Sequence, residues 1–480
     1  MIDTIIRGGH LVTMTDGSVG FVEDGAVAID GRRIVAVGRR DEVESQDSAR
    51  RVIDATDTLV MPGLVDAHLH SAATAGRGWA QEVRTWMASA YGPLMRHVRD
   101  EDAALWSTLA LMEGIANGTT TFGDYEFPMS DIVHSHNALG ARAVLCEGVT
   151  ELNWNHRDQW LAQGWTPGEP TPLDRATGEA SLSRELDLYE RWHGFDDGRI
   201  SVIFGPHAAD FLSTDLLLRV QEEARKRNAT LHLHVAQDER ENRATLQRAG
   251  LRAVPYLDSI GLLGPDLIAV HLSTATDDEV KLVVERGARM ACCSNSIGII
   301  DGMVPPATLF NELGGTVALG SDQSAGNNSH NIFAEMRATA MFAKIKAGNP
   351  TILPAHDVLR MATIGGATAL GIADRTGSLE PGKDADLIMI DLTRPPMAPV
   401  LLKPGRNLVA NLVYAETGSN VVMNMVAGQI IYENGEFMSV DRRAIMEQVT
   451  KASSEFQELV AADLSVQDVP IAQLTREGII

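Results

Sequence analysis

The sequence predicts an α/β chain: a (β/α)8 barrel of the TIM type, with a small β-sandwich built from both chain ends. Three observations predict it. Eight short apolar runs alternate with longer helical stretches through the middle of the chain. Histidines and acids gather at the C-terminal ends of those runs, the catalytic face of such a barrel. Turn-punctuated strands of a different texture occupy both ends.

The elements follow in order. Ile5-Ile6-Arg7-Gly8-Gly9, Ala26-Val27-Ala28-Ile29-Asp30-Gly31 and Arg33-Ile34-Val35-Ala36-Val37-Gly38 read as an antiparallel meander. The eight runs end near His70, Asp124, Gly148, His207, His234, His271, Asn295 and Asp322. Buried parallel strands read as continuous apolar runs. Ile200-Ser201-Val202-Ile203-Phe204 and Thr316-Val317-Ala318-Leu319 do so. Strand texture returns in Ala385-Asp386-Leu387-Ile388-Met389-Ile390, Val421-Val422-Met423-Asn424-Met425-Val426 and Gln429-Ile430-Ile431-Tyr432. The expected layout is therefore 1–56 as the first part of the sandwich, 57–372 as the barrel and 373–440 as the second part. Residues 441–480 form a helix, Arg442 to Ala461, and a tail.

Composition narrows the function. The 480 residues are 44% hydrophobic and 22% charged, which is globular and long enough for a large core. A net charge of −23 argues against nucleic acid and anionic membranes as partners. No apolar stretch reaches membrane-spanning length, and Met1–Arg7 lacks the basic start of a signal peptide. Three cysteines make no disulfide framework, so a cytoplasmic setting is expected. Cys292-Cys293 reads as core packing.

The chemistry starts from His68-Leu69-His70, which closes the first run. Two histidines one residue apart on a strand point to the same side, because side chains alternate with period 2. His234, His271 and Asp322 close later runs. Three imidazoles and a carboxylate can hold one divalent transition metal, Zn²⁺ or alternatively Fe²⁺, with room for water. Such a metal lowers the pKa of water toward neutrality.

These motifs resemble the amidohydrolase superfamily, in the branch of cytosine deaminase, S-adenosylhomocysteine-type deaminases and s-triazine hydrolases. The resemblance rests on Met61-Pro62-Gly63-Leu64-Val65-Asp66-Ala67-His68-Leu69-His70, Gly118-Thr119-Thr120-Thr121, Gly205-Pro206-His207, His232-Leu233-His234-Val235-Ala236, Gly320-Ser321-Asp322 and Gly377-Ser378-Leu379-Glu380-Pro381-Gly382-Lys383-Asp384-Ala385-Asp386. It covers nearly the whole chain. It implies that His68, His70 and His234 are metal ligands, and that Asp322 binds the metal weakly and takes a proton from the attacking water. It implies that His271 lies close to the metal and polarises the reacting atoms, and that His207 lines the substrate pocket. Binuclear relatives bridge two metals with a carboxylated lysine after strand 4. The first lysine here is Lys226, past that strand, so a mononuclear centre is expected. The resemblance also implies a homodimer or higher homo-oligomer.

The chain departs from the deaminase pattern at Gln237. Deaminases carry a glutamate three residues after the ligand histidine, where it protonates the ring nitrogen beside the attacked carbon. A neutral amide exchanges hydrogen bonds but is no general acid near pH 7. Asp238, Glu239 and Glu241 are close by in another register. Three readings stay open. The substrate needs no ring protonation, or His271 and Asp322 carry all proton transfer, or the glutamine is a deliberate change that traps substrate. The loop Gln323-Ser324-Ala325-Gly326-Asn327-Asn328-Ser329-His330 also differs from related deaminases. His330 either reaches the pocket or is a solvated or capping histidine. Glu126 either lines the site or forms a surface pair. Trp79, Trp86 and Tyr91 either stack on a planar substrate or pack their segment on the barrel. Trp154 to Pro172 reads as a long loop over the barrel mouth.

The expected function is a mononuclear metal-dependent hydrolase of a small nitrogen-containing compound, a heterocycle that loses ammonia or amine. Asp322, His271 and Gln237 are the catalytic candidates. His207, Gln237, Trp86, Glu126 and His330 are the substrate-binding candidates. The alternative keeps the site and changes the bond to C–Cl, C–S, urea, carbamate or amide. A non-catalytic scaffold of the same fold is the remote alternative.

Overall fold

A computed structural model describes residues 2–480 apart from 16, 46–47, 85, 154–155, 157–158, 160–171 and 464–468. The expected loop Trp154 to Pro172 thus lies largely outside the described residues. The eight apolar runs become eight parallel strands. They are Leu64–His70, Thr119–Glu126, Arg142–Val149, Ile200–Val202 continued by Gly205–Pro206, Leu231–Val235, Leu267–His271, Arg289–Cys292, and Val317–Leu319 continued by Asp322–Gln323. The first four pair in sequence order, as do the fifth to the eighth. Phe204 bridges to Leu231 and Ala208 to His234, which joins the fourth strand to the fifth. Asp322 and Gln323 pair with Leu69 and His70, which closes the ring.

Ring closure brings the last strand hard against the first. A Cβ on Gly320 would stand 2.7 Å from the carbonyl oxygen of His68. Glycine is therefore required there by space. Helices such as Asp100–Ala116, Thr214–Lys226 and Ile332–Ala347 follow the strands and cover them outside. Their starts are set locally. The Ser213 side chain accepts from Leu216 N–H, and the Thr276 hydroxyl and Glu279 form a reciprocal capping box.

The chain ends build a second sheet. Nine strands from 2–62 and 387–437 join in one mostly antiparallel sheet. Thr58–Pro62 sits at its centre, between Leu387–Asp391 and Ile2–Val12, before the chain enters the barrel at Gly63. The hydrogen bonding runs unbroken rather than in two separate layers. The sheet curls instead, so that Val27 and Ile34 from one flank share a core with Met423 and Met425 from the other. Arg142 ties sheet to barrel. It is 1% exposed and donates from Nε to Asp386 at 2.5 Å and from Nη2 to Asp384 at 2.7 Å.

The helix Arg442–Ala461 begins where Asp441 accepts from the N–H groups of Arg443 and Ala444. It packs on the barrel through Trp106, Val449 and Ala452. Past its end, Asp463 pairs with Arg96 and with His97 Nε2 at 2.7 Å. Val460 and Val469 share a cluster with Trp86 and Leu94. The C-terminal segment thus backs the stretch that follows the first barrel strand. No helix among the described residues is long and apolar enough to cross a membrane.

Removing one partner of a buried ion pair strands the other charge. Arg142→Ala leaves buried Asp386 without its guanidinium, while Asp384 keeps Arg33 and Arg375 at 3.0 Å, and the expected loss is about 3–5 kcal/mol in chemical denaturation. A loss under about 1 kcal/mol, the range of a surface pair, contradicts the tie between sheet and barrel.

Candidate metal centre and active site

The strand ends deliver their polar side chains to one point. His68 and His70 come from the first strand, His234 from the fifth, His271 from the sixth and Asp322 from the eighth. One ligand atom from each of His68, His234 and His271 lies within 4.8 Å of the others, and the same holds for His68, His70 and Asp322. Asp322 Oδ1 is 3.8 Å from His68 Nε2 and 3.7 Å from His70 Nε2. His271 and Asp322 both hold positive φ, 76° and 59°. Such backbone strain in non-glycine residues persists where surroundings enforce it, and it clusters at functional sites.

The hydrogen bonds decide which nitrogens are free. His70 Nδ1 donates to the Tyr125 carbonyl at 2.6 Å, and His234 Nδ1 donates to the His207 carbonyl at 2.8 Å. A carbonyl only accepts, so both Nε2 atoms carry lone pairs in the neutral rings. Those two atoms face each other at 3.4 Å. Two acceptors at that distance repel unless a cation lies between them. Two nitrogens each about 2.0–2.1 Å from a tetrahedral zinc stand about 3.4 Å apart. His68 Nδ1 pairs with His232 Nε2 at 3.0 Å, while His68 Nε2 is buried with no hydrogen-bond partner among the described residues. The donor set therefore fits a divalent metal of nitrogen and oxygen preference.

Burial keeps the imidazoles uncharged. It holds His68, His70 and His271 well below the usual imidazole range, and the neighbouring imidazoles add to the effect. His234 falls to about 4 for the same first reason. Neutral imidazole is the form that binds metal. Burial also lifts the Asp322 carboxyl to about 6. The Ser296 hydroxyl, donating at 2.5 Å, and the Gln323 N–H hold it from rising further.

A pocket opens on this cluster. Trp86, Met87, Tyr91 and Phe127 line it together with His207, Gln237 and Gln323. The Trp86 and Tyr91 rings stack with centroids 4.5 Å apart. Trp86 thus faces the pocket and also packs its segment. Trp79 packs in the cluster behind it. The His207 ring stacks on His234 at 4.9 Å.

Two expected substrate contacts lie elsewhere. Glu126 is only 6% exposed, so it makes no surface pair, and its carboxylate accepts from Ala72 N–H at 2.7 Å. It lines an adjoining cavity that shares Met87, Tyr91, Phe127 and His207 with the metal pocket. His330 is fully buried and neither solvated nor in the pocket lining. Ser321 donates to Asp66, so His330 Nδ1 donates to Ser321 at 2.8 Å, and His330 Nε2 meets the Thr74 hydroxyl at 3.3 Å. It anchors the loop after the last strand. The sequence reading missed His232, Ser296 and Gln323. His232-Leu233-His234 repeats the spacing of His68-Leu69-His70 and was legible by the same period-2 rule. Ser296 and Gln323 carry no such signal.

The model of the amidohydrolase family matches residues 59–431. A 5'-deoxyadenosine deaminase of Methanosarcina mazei is 35% identical over 458 residues, spanning 95% of this chain and 98% of the relative. A 5-methylthioadenosine/S-adenosylhomocysteine deaminase of Moorella thermoacetica is 34% identical over 430 residues, spanning 89% and 94%. Among solved structures, an adenosine deaminase from Xanthomonas campestris with bound zinc superposes with a TM-score of 0.85 at 28% identity, covering 95% of this chain and 99% of that one. A zinc-complexed atrazine chlorohydrolase from Arthrobacter aurescens shares the fold, with a TM-score of 0.82 at 21% identity over 94% and 100%. With its strand ends converging on a metal-ready cluster and its match over residues 59–431, the chain belongs to the amidohydrolase family of metal-dependent hydrolases.

Proposed function

We propose that this chain is a mononuclear zinc hydrolase that removes the exocyclic amino group of an aminated heterocycle, with 6-aminopurine nucleosides as its substrate class. The observation that carries the reading is the pair of lone-pair nitrogens of His70 and His234 facing across 3.4 Å beside Asp322. The names of the relatives at 34–35% identity support the amine leaving group. His68, His70 and His234 hold the metal, with Asp322 and His271 completing its surroundings. Bound there, the metal supplies Lewis acidity that makes water a nucleophile near neutral pH. A reducing, cytoplasmic setting belongs to the same reading and is supported by Cys146, Cys292 and Cys293, all buried and free.

The protein groups divide the remaining work. The planar ring lies against Trp86, Tyr91 and Phe127, which exclude water from its faces. Water oxygen bonds to the ring carbon, and Asp322 takes the proton that it releases. Asp322 then returns that proton to the departing amino nitrogen, the C–N bond breaks and ammonia leaves. The oxygen keeps the second proton as a hydroxyl, which tautomerises in solution. One transferred proton therefore balances the reaction. Ring protonation lowers the barrier in enzymes with a glutamate at this place, but the balance does not need it. Gln237 takes the reduced role of donating an amide hydrogen bond to the ring nitrogen as charge develops. As the oxygen adds, the C=N electron pair moves onto the ring nitrogen and returns when the C–N bond to the amine breaks, while His271 steadies the attacking oxygen.

The experiment is product analysis with zinc-loaded protein. Adenosine, 5'-deoxyadenosine, 5-methylthioadenosine and a chlorinated triazine are incubated separately. Ammonia release from a purine is the expected result, and chloride release without ammonia refutes the deaminase reading. Asp322→Asn keeps the shape but cannot take the proton, so kcat is expected to fall at least about 100-fold, toward or beyond the range for losing general base catalysis, with zinc content kept. His232→Phe removes the partner that orients His68. Zinc affinity, read by chelator competition, is expected to drop about 10–100-fold. Unchanged affinity contradicts the His68–His232 arrangement.

A further inference from the structure

We propose that Gln323 selects the leaving group: its carbonyl accepts an N–H of the departing amine, so the pocket prefers aminated over halogenated rings. The inference rests on the functional reading above and adds a residue to it.

The amide orientation follows from three linked groups. Ionised Asp322 only accepts hydrogen bonds, so the 2.5 Å contact with Ser296 uses the Ser296 proton. The Ser296 oxygen is then left as an acceptor. Its 3.4 Å contact with Gln323 must come from the Gln323 Nε2 group. Oε1 is therefore the free end of the amide. It is buried and has no hydrogen-bond partner among the described residues. Gln323 as a whole is 3% exposed, and it lines the same pocket as His271 and Asp322.

The seat for this amide is built. A Cβ on Gly326 would stand 2.5 Å from Gln323 Nε2 and 3.1 Å from Oε1. Glycine at 326 keeps the space open, and the Ile300 side chain flanks the same spot. A buried acceptor without a donor is costly, and native structures supply one. Ser296 bonds both to Asp322, at 2.5 Å, and to the Gln323 amide, at 3.4 Å, and both residues line the pocket, so the missing donor belongs near the group that hands a proton to the leaving nitrogen. An amino group brings N–H donors to that place. A chloride or thioether brings none and leaves the carbonyl unpaired and desolvated. Gln237 does not duplicate this role, since a ring nitrogen with a lone pair calls on its donor end.

The test uses two ribosides that differ only in the leaving group, adenosine and 6-chloropurine riboside. Both give the same product. With zinc-loaded wild-type protein, kcat/KM is expected to favour adenosine. Gln323→Met keeps length and volume but has no acceptor of comparable strength. It also loses the donor to Ser296, which slows both substrates, so kcat/KM for adenosine is expected to fall about 10–100-fold further than that for the chloride, the cost of a lost buried hydrogen bond. Zinc content and melting temperature show whether the variant folds. If it does not, Gln323→Glu, which keeps an acceptor but cannot donate to Ser296, is expected to slow both substrates and keep the preference. Equal loss on both substrates in Gln323→Met, loss on neither, or a lost preference in Gln323→Glu overturns the assignment. If the wild type turns over neither riboside, the functional reading falls, and calorimetric binding of the same pair decides about Gln323. Tighter adenosine binding that Gln323→Met abolishes sustains the assignment, and equal affinities in the wild type overturn it.

Discussion

His70 and His234 commit their Nδ1 protons to the carbonyls of Tyr125 and His207, and that commitment shapes everything around them. It leaves two buried lone pairs facing each other at 3.4 Å. Only a cation or a proton relieves such an arrangement, and burial makes protonation costly. The backbone carbonyls that enforce it belong to the second and fourth barrel positions, so ring orientation depends on the barrel closing in register. The tight approach of Gly320 to His68 and the pairing of Asp322 with Leu69 set that register on the opposite side.

The same logic runs outward from the cluster. The rings of His68, His70 and His234 are each held by a hydrogen bond to a neighbouring group. His232 sits behind His68 and Ser296 behind Asp322. Gln323 extends the second chain by one more link to the pocket wall. Donor and acceptor directions are fixed where a carbonyl or a carboxylate accepts, at His70, His234 and Ser296. The outcome is a pocket whose polar edges, Gln237 and Gln323, are neutral amides beside one buried carboxylate. Such a site suits a planar uncharged ring better than an ion.

The terminal sheet and the C-terminal helix serve this site from a distance. Arg142 locks the barrel to the segment holding Asp384 and Asp386. Val460 and Val469 support the stretch that carries Trp86, Met87 and Tyr91 to the pocket. The pocket wall is thereby held by the last part of the chain as well as by the barrel.

The sequence by itself determined the barrel and the strand ends that carry His68, His70, His234, His271 and Asp322. Continuous apolar runs mark buried parallel strands, and period-2 spacing aims His68 and His70 to one side. Both are local properties of the chain. The fate of Glu126 and His330 was not legible, although each follows a barrel strand. Rotation of the strand end turns Glu126 toward the Ala72 N–H, and the curl of the last loop puts His330 between Ser321 and Thr74. Ser296, on the helix Ser294–Ile300, meets Gln323, on the last barrel strand, with the helix Ala307–Glu312 between them in the chain, and nothing in either segment names the other. Which polar atoms end up buried and unpaired depends on contacts between residues far apart in the chain, so only the tertiary structure decided where the Gln323 carbonyl is left free.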